Sequence, residues 1–412
     1  MRRMTENSFY GLGIAPNILA VLDKLNFKVP TPIQERSIPE SIEGKDLIGI
    51  AETGTGKTLA FGIPMVQAAL SGKRGLVVLP TRELALQVHK AMDQVGGPLG
   101  VRSVLIIGGE SMDRQLRDIR KAPMIVIGTP GRIIDHLNQK TIRLQAVGML
   151  VLDEADRMLD MGFAPQLKRI LSETPPERQT MLFSATMPDD IVRIANHHMR
   201  LPTRVEVAPS GTTAPRVTQE LFFVRKEDKP RLLEKLLTEY AGSVLVFSRT
   251  KFGAKRIMRS VREQGHTASE LHSNKSLNQR REALEGFRNG KYRVLAATDI
   301  AARGIDVKGI ELVVNYDLPT SAEDYVHRIG RTGRMGGAGH AISFATPDQR
   351  GDVKGIERLI RATLPLSKLP ANLPEPRMEE ARPPRPPRPY GRPHRPAFRR
   401  SSGRPSFRRS GR

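Results

Sequence analysis

A glycine-rich stretch between a short apolar run and a helical segment constrains this chain more than any other feature. The run Leu47–Ile50 has the composition of a buried strand and leads into residues 51–58, Ala-Glu-Thr-Gly-Thr-Gly-Lys-Thr. A helical stretch follows and reaches about Leu70. Such a loop between strand and helix binds phosphate through bare backbone N–H groups. We therefore expect an open α/β sheet that binds its ligand at the strand ends.

Two carboxylates, Asp153 and Glu154, follow another apolar run, 149–152, which also predicts a buried strand. Asp153 is suited to holding Mg²⁺, and Glu154 to orienting and deprotonating an attacking water. In the glycine-rich loop, Lys57 would neutralise β and γ phosphates while the Thr58 hydroxyl binds Mg²⁺. Acidic residues also mark helix starts for electrostatic reasons alone. A phosphate loop in the same domain favours a nucleotide hydrolysis site instead.

Short apolar runs alternate with helix-patterned segments through most of the chain, which is typical of parallel α/β sheets. With 412 residues the chain is too long for one core. A turn-rich stretch at 209–215 lacks apolar periodicity and predicts a linker between domain one, 1–208, and domain two, 216–364. The predicted strands are 47–50, 76–79, 104–107, 124–127, 149–152 and 180–183, then 244–247, 267–271, 293–296, 312–315 and 341–344.

Composition narrows the class of partner. The formal net charge is +23, which suits a polyanionic partner, although surplus Lys and Arg also aid solubility. Cysteine is absent, which excludes disulfides, thiolate zinc sites and thiol nucleophiles. No stretch resembles a signal peptide or a membrane span, so we expect a cytoplasmic protein without a membrane partner.

Residues 365–412 differ in composition from both predicted domains. They hold 13 basic and 3 acidic residues, and from Ala381 onward there are eleven arginines and no acid. Such a segment cannot bury enough apolar surface to offset its ordering entropy, so we predict a disordered basic tail. Arginines interspersed with Tyr390, Phe398 and Phe407 suit tethering of a nucleic-acid strand. A solvated linker or a partner-binding tail is the alternative.

The motifs, taken in order, resemble the DEAD-box RNA helicases over about 340 residues, and most of all the bacterial RhlE-type subgroup. Residues 27–34, Phe-Lys-Val-Pro-Thr-Pro-Ile-Gln, resemble the Q motif of that family, within 7–35. The resemblance implies two tandem RecA-like domains, with ATP and Mg²⁺ as cofactors. It also implies that Gln34 and Thr31 hydrogen-bond adenine while Phe27 packs on it, with Phe9 as the isolated upstream aromatic. The implied nucleotide-binding set is completed by Ala51, Glu52, Thr53, Gly54, Thr55, Gly56, Lys57, Thr58, Gly304 and Asp306.

The same resemblance implies an RNA path across both domains, with single-stranded and short duplex RNA as partner. It further implies that Ser184, Thr186 and His327 couple hydrolysis to strand separation through Asp156. The RNA-contacting residues implied are Pro80, Thr81, Arg82, Gly108, Gly109, Thr129, Gly131, Arg132, Arg249, Arg280 and Thr298. Glycine doublets and Pro-Gly pairs are also ordinary turns.

Three arginines lie in eight residues of domain two, 327–334, His-Arg-Ile-Gly-Arg-Thr-Gly-Arg. By resemblance, Arg331 and Arg334 reach the γ phosphate across the cleft, which makes them catalytic together with Lys57, Asp153 and Glu154. An arginine from a mobile domain stabilises transition-state charge only on closure. A generic phosphate clamp is the alternative.

Three residues depart from the family pattern. Asn26 stands where the Q motif usually has Gly, Ser273 follows His272 where Gly is usual, and Leu277 replaces a usual Gln. The function implied is ATP-dependent local unwinding of RNA, with ribosome-assembly or RNA-decay complexes as family-level partners. Two rivals remain. The ATPase of a DNA-tracking helicase would be stimulated equally by DNA and RNA. An RNA-binding scaffold with an inactive ATPase would lack Lys57, Glu154 or Arg331.

Overall fold

A computed structural model describes residues 8–51, 54–207, 217–302, 307, 309–333, 339–371 and 373–374. The predicted linker 209–215 and most of the predicted tail lie outside these residues. So do five predicted site residues, namely Glu52, Thr53, Gly304, Asp306 and Arg334.

Domain one is a parallel sheet with helices on both faces. Its helices are α1 (Pro16–Lys24), α2 (Pro32–Ile42), α3 (Lys57–Leu70), α4 (Arg82–Gly96), α5 (Met112–Ile119), α6 (Pro130–Asn138), α7 (Ala155–Asp160), α8 (Ala164–Glu173) and α9 (Asp189–His198). Its strands are β1 (Leu47–Ile50), β2 (Arg74–Val78), β3 (Ser103–Ile106), β4 (Ile125–Gly128), β5 (Val147–Leu152), β6 (Gln179–Ser184) and β7 (Thr203–Glu206). Across the described residues they are ordered β3-β4-β2-β5-β6-β1-β7.

Domain two repeats this architecture. Its helices are α10 (Lys229–Glu239), α11 (Lys251–Glu263), α12 (Leu277–Arg288), α13 (Asp299–Ala302), α14 (Ala322–Ile329) and α15 (Arg350–Ile360). Its strands are β8 (Val217–Phe223), β9 (Val244–Phe247), β10 (Ala268–Leu271), β11 (Val294–Ala297), β12 (Leu312–Asn315) and β13 (Gly339–Ala345). Across the described residues they are ordered β10-β11-β9-β12-β13-β8, all parallel.

The apolar runs form strands because both faces of each sheet are covered, so successive side chains are buried on opposite sides. In β2, for example, Val77 belongs to one apolar cluster, whereas Leu76 and Val78 belong to the cluster on the other face. The predicted two-domain parallel fold is confirmed. Every predicted strand is present within about two residues of its predicted bounds.

Two strands, β7 and β8, were missed by the sequence analysis. Both stand at an end of the strand order of their sheet. In β7 three of the four side chains are polar, so the sequence gives no apolar run there. In β8 the polar residues 218–220 precede a short apolar run at 221–224, which was available in the sequence.

The predicted boundary at Leu364 also needs correction. The Leu221 N–H donates to Pro365 O at 2.9 Å, and the Ser367 N–H donates to Leu221 O at 2.9 Å. Leu373 is 5% exposed and packs in an apolar cluster of domain two. Residues 365, 367 and 373 therefore belong to domain two, because the first two pair with the edge strand β8 and Leu373 packs in the apolar cluster.

Candidate active site

The predicted site residues gather at one edge of each sheet. The loop 51–57 follows β1, the acidic pair follows β5, and Ser184 ends β6. In domain two, Arg249 follows β9 and Thr298 follows β11. Because all strands are parallel, their carboxyl ends share an edge, and this is where open α/β sheets bind ligands.

The glycine-rich loop has the backbone that a phosphate cradle needs. Gly54 and Gly56 have φ of 92° and 99°, in the left-handed region that favours glycine. Lys57 begins α3, is buried, and its Nζ donates to Ala51 O at 2.8 Å. The ammonium thus lies inside the loop, where a phosphate oxygen can replace the carbonyl as its acceptor.

The Q-motif segment packs directly against this loop. Gln34 Nε2 donates to Gly56 O at 2.9 Å, and Gln34 Oε1 accepts from the Thr31 N–H at 2.9 Å. A Cβ at Gly56 would meet Gln34 Nε2 at 2.5 Å and Thr31 Oγ1 at 2.7 Å. The Q-motif segment therefore contacts the loop directly, and glycine at position 56 is required for this close approach.

The aromatic and Asn positions of this segment differ in environment. Phe27 is 39% exposed, but Phe9 is 3% exposed and packs in the core of domain one. Asn26 has φ of 60°. This left-handed conformation explains the usual glycine there, and asparagine is the side chain that tolerates it best.

The two carboxylates after β5 are buried. Asp153 is 2% exposed and accepts from the Glu154 N–H at 2.9 Å. Burial raises the pKa of Asp153 to about 6, and Glu154 and Asp156 add to the rise, against the opposing effect of Lys57. Because burial removes the water that would stabilise the ionised carboxylate, a bound cation would stabilise its charge instead, so the site suits a cation. Glu154 lies at φ 51°, where β5 turns into α7.

The predicted coupling residues meet around Asp156. Its Oδ2 accepts from the Thr186 hydroxyl at 2.8 Å and from the Thr186 and Ala185 N–H groups at 2.9 and 3.2 Å. The Asp156 N–H donates to Ser184 Oγ at 3.2 Å. Burial opposes ionisation, but the Thr186 hydrogen bond and the nearby Lys57 and Arg157 cations keep the pKa of Asp156 below its ordinary value. The segment 184–186 is thus tied to the acidic strand end.

Helix α14 of domain two brings His327 and Arg331 to this region. A small cavity is lined by Arg157 of domain one and by Asp324, His327, Arg328 and Arg331 of domain two. Arg331 is 4% exposed, and its Nε donates to His327 O at 3.1 Å. Burial, with the neighbouring Arg157 cation, lowers the pKa of His327 well below its ordinary value, so the imidazole is neutral here.

Two arginines that the sequence analysis did not assign hold this arrangement. Arg157 pairs with Asp324 across the domains and with Asp160 at 3.3 Å in its own helix. Arg328 donates to both carboxylate oxygens of Asp299, at 2.5 and 2.8 Å, and is fully buried. Arg328 therefore positions the end of α14, just before Arg331. In the sequence, Arg328 was marked only by its position among the three arginines of residues 327–334.

In domain one the predicted RNA residues form a polar edge. The Arg82 guanidinium lies over Gly108 and Gly109, where a Cβ on either glycine would meet it. Arg132 Nη2 donates to Glu110 O at 2.7 Å, and Arg132 Nε to Gln115 Oε1 at 3.1 Å. A Cβ at either glycine would therefore push the Arg82 guanidinium aside, and Gly109 also has φ of 80°, in the left-handed region that favours glycine. Pro80, Thr81, Thr129 and Gly131 lie beside them at the starts of α4 and α6.

In domain two, Asp317 orders the predicted RNA residue Arg249. Asp317 Oδ2 accepts from the Arg249 N–H at 3.1 Å and from Ser248 Oγ at 3.0 Å. The guanidinium of Arg249 donates to Leu318 O at 3.2 Å.

Arg280, also predicted to contact RNA, is occupied by another partner. It is 8% exposed, and its Nη2 pairs with Glu83 of domain one at 2.7 Å. Leu277, one of the three departures, is 4% exposed and belongs to the apolar cluster of domain one. The start of α12 therefore closes the two domains against each other, and sequence reasoning did not identify Glu83 in that role.

Comparisons with known proteins agree with this geometry. The chain matches the DEAD/DEAH box helicase model over residues 31–194 and the helicase conserved C-terminal domain over residues 228–336. It is 43% identical to the DEAD-box ATP-dependent RNA helicase CshA of Geobacillus kaustophilus over 367 residues, which cover 88% of this chain and 79% of that protein. The chain belongs to the DEAD-box family of ATP-dependent RNA helicases.

A eukaryotic member and two solved structures extend the likeness. The DEAD-box chain is 43% identical to the rRNA helicase RRP3 of Meyerozyma guilliermondii, over 82% of this chain and 73% of that protein. S. cerevisiae Dbp5 bound to RNA and ADP BeF3 superposes with a TM-score of 0.80 at 30% identity, covering 88% and 95% of the two chains. Mss116p bound to ssRNA and AMP-PNP gives 0.79 at 26% identity, covering 87% and 78%.

The bacterial relatives carry the name CshA, so these comparisons support the DEAD-box family but not the RhlE-type subgroup suggested by the sequence. Among the described residues, no helix has the length and apolar character that would let it cross a membrane.

Proposed function

We propose that this DEAD-box helicase uses ATP hydrolysis in the cleft between its domains to separate short RNA duplexes locally. One observation carries the proposal: the groups needed for hydrolysis are divided between the domains. Lys57, Asp153 and Glu154 belong to domain one, whereas Arg331 follows α14 of domain two and lines a cavity together with Arg157, which stands three residues after Glu154. A catalytic site divided in this way is complete only when the domains are closed.

The residues present fit a nucleotide with Mg²⁺. The glycine loop offers N–H groups, and the buried Asp153 with its raised pKa calls for a cation. Among the described residues no cluster of three or more acidic, His or Cys side chains could hold a metal alone. Mg²⁺ usually keeps one or two carboxylates, waters and substrate phosphates as ligands, so Asp153 and Thr58 would suffice. When bound, the ion neutralises charge on the phosphates.

Each protein group then has a defined task. Lys57 leaves Ala51 O to bind phosphate oxygen, and Glu154 orients the attacking water and takes its proton. Arg331 neutralises charge that develops on the transferred phosphoryl group. Gln34, held on Gly56 O and Thr31 N, retains one amide hydrogen and one lone pair for adenine.

The arrangement of the two domains supports the proposal that the protein is closed when it binds RNA. A point variant of Dbp5 superposes with a TM-score of 0.79 when bound to RNA and ADP BeF3, but with 0.70 when bound to Gle1 and IP6. The interdomain pairs Arg157–Asp324 and Glu83–Arg280 belong to this arrangement. We infer that RNA and ATP stabilise it together, and that phosphate release reopens it.

The test is ATPase activity with and without single-stranded RNA, and with DNA of the same sequence. We expect turnover to require RNA, and Arg331→Lys to lower the stimulated rate on the order of 10²–10³-fold. The matched control is Arg350→Lys, an exposed arginine of domain two over Phe223, which should retain the rate. Equal rates without RNA would contradict the divided site, and equal rates with DNA would favour the rival DNA helicase.

We propose a cytoplasmic location, and ribosome-assembly or RNA-decay complexes as partners, on family grounds. The RhlE-type subgroup is carried by the motif resemblance alone. Sequencing of RNA crosslinked to the protein in cells would identify the substrate.

A further inference from the structure

Helix α11 of domain two presents a basic outer face that the proposed catalytic cycle does not use. Its inner side chains Ala254, Ile257, Met258 and Val261 are buried on the sheet. The exposed face carries four basic residues and one aromatic at helical spacing, namely Phe252, Lys255, Arg256, Arg259 and Arg262. We call this set the basic stripe, and at 1.5 Å per residue it is about 15 Å long.

Among the described residues, Lys255, Arg256 and Arg259 of the basic stripe are not balanced by acids, whereas Arg262 lies near Glu282 of α12. The one acidic residue of α11 is Glu263, at its last position, and no ion pair joins Lys255, Arg256 or Arg259 to any described residue. Like charges at i,i+3 and i,i+4 spacing oppose helix stability. The stability of the helix therefore does not explain why α11 carries so many like charges.

Two other helices show that this pattern does not follow from the fold. Helix α4 occupies the corresponding place in domain one, after the second strand, and fully exposes only Lys90, Asp93 and Gln94. Helix α12 of domain two alternates its charges along the exposed face, and its Glu282 pairs with Lys291 at 2.7 Å.

The position of α11 favours a polyanion that is bound at the edge formed by the carboxyl ends of the domain-two strands, which we call the site edge. The helix begins three residues after β9, and Thr250 caps it by accepting from the Gly253 N–H at 2.9 Å. Arg249, a proposed RNA contact, directly precedes this cap. Because α11 packs on β10 and β11 and returns antiparallel to them, its basic stripe leads from the site edge toward the opposite end of the sheet.

Phe252 lies at the end of the stripe that is nearest to Arg249. It is 74% exposed, and Lys251 Nζ lies 5.3 Å from its ring centroid. Lys251 is itself held by Asn274 Oδ1 at 3.1 Å. An exposed ring beside fixed cations is a platform on which a nucleobase can stack, while the lysine and arginines bind the phosphates that follow.

We propose that the basic stripe is an accessory RNA-binding surface for the strand that leaves the cleft, an inference that rests on the proposed RNA-helicase function. Phe252 stacks the first base outside the cleft, and Lys255, Arg256 and Arg259 neutralise successive phosphates. The surface lengthens the bound RNA without reading its sequence, because the contacts are to base faces and backbone.

The test uses the full chain and three RNAs: one long enough only to cross the two domains, and two with a flank of about 20 Å, the length of α11, on the 5′ or the 3′ side. Affinities are measured at several salt concentrations for Lys255→Ala/Arg256→Ala/Arg259→Ala. The control Lys235→Ala/Lys291→Ala/Lys354→Ala removes the same charge from exposed sites of domain two.

We expect the stripe variant to bind one flanked RNA more weakly, with a salt slope reduced by about 2, since each phosphate contributes about 0.7. Phe252→Ala should weaken the same RNA about tenfold at every salt concentration. Both variants should keep short-RNA affinity and saturated ATPase turnover. Slopes equal to the control's on both flanked RNAs would overturn the proposal and leave the face to an acidic protein partner. If RNA did not stimulate the ATPase activity of the wild-type protein, the proposed function itself would be overturned.

Discussion

The strands β1–β6 of domain one and β8–β13 of domain two follow the same order across their sheets. The likeness extends to local geometry. Thr81 caps α4 with φ, ψ of −127°, 153°, and Thr250 caps α11 with −126°, 151°. Nevertheless, only domain one has a phosphate loop, so the scaffold alone does not create the nucleotide site.

A lysine–aspartate pair shows how the same positions take different roles. Lys57 begins α3 and Lys229 begins α10, in each case the helix after the first strand. In domain two, Lys229 Nζ donates to Asp317 Oδ1 at 3.1 Å and to Tyr316 O at 2.6 Å. Lys57 instead donates to a carbonyl of its own loop. In domain two the charge of Lys229 is neutralised by Asp317. In domain one Lys57 has no such carboxylate partner among the hydrogen bonds of the described residues, and it can bind a phosphate.

The largest expected effect tests whether the chemistry belongs to domain one. Glu154→Gln keeps size and hydrogen bonding but removes the proposed base, so ATP should bind while turnover falls on the order of 10²–10⁴-fold. Single-turnover hydrolysis and nucleotide affinity are the measurements. Glu227→Gln, an exposed residue after β8, is the control and should keep wild-type turnover. A wild-type rate in Glu154→Gln would place the base elsewhere.

The two lysines should respond in opposite ways. Lys57→Ala should weaken ATP binding on the order of 10²-fold with little loss of folding stability. Lys229→Ala leaves the half-buried Asp317 without its lysine partner and should lower the free energy of unfolding by about 1–3 kcal/mol. Calorimetric ATP titration and urea unfolding separate the two results. A stability loss in Lys57→Ala as large as that in Lys229→Ala would break the comparison.

The contact between the domains is tested by a double-mutant cycle on Glu83 and Arg280. Burial raises the pKa of Glu83, although Arg280 opposes this. Glu83→Gln should weaken RNA binding in the presence of a non-hydrolysable ATP analogue by about tenfold, the effect of leaving a buried charge without its partner. Adding Arg280→Met should restore part of the loss, because no buried charge remains unpaired. The exposed pair Lys235–Glu239 serves as control, and additive effects at Glu83 and Arg280 would mean that closure does not use this pair.

The smallest effect concerns pH. Since burial in the closed state holds the pKa of His327 below its ordinary value of about 6.5, the closed state binds fewer protons than the open state. Closure is therefore favoured above about pH 6.5 and weakens below it, by about tenfold at pH 5.5. RNA affinity with the ATP analogue at about pH 7.5 and about pH 5.5 measures this.

His327→Asn should flatten the profile. Asp153, with a pKa of about 6, is still present in that variant, so the difference between the two profiles belongs to His327. Parallel profiles would remove His327 from the closure equilibrium.

The sequence by itself was enough to predict two parallel-sheet domains and the DEAD-box family. Central strands such as β1, β9 and β12 were predicted with their observed bounds, because burial on both faces leaves a continuous apolar run. The phosphate loop and the acidic pair were identified because each is a local segment whose spacing is set by one strand-to-helix turn.

Only the tertiary structure decided how the halves meet. Arg157 and Asp324 are 167 residues apart, and Arg280 and Glu83 are 197 apart. No local pattern marks an arginine for a carboxylate at that distance, since the partner is chosen when the domains close. The same holds for the edge strand β7, whose polar side chains give no apolar run. It also holds for residues 365–367, whose pairing depends on the side of β8 that receives them.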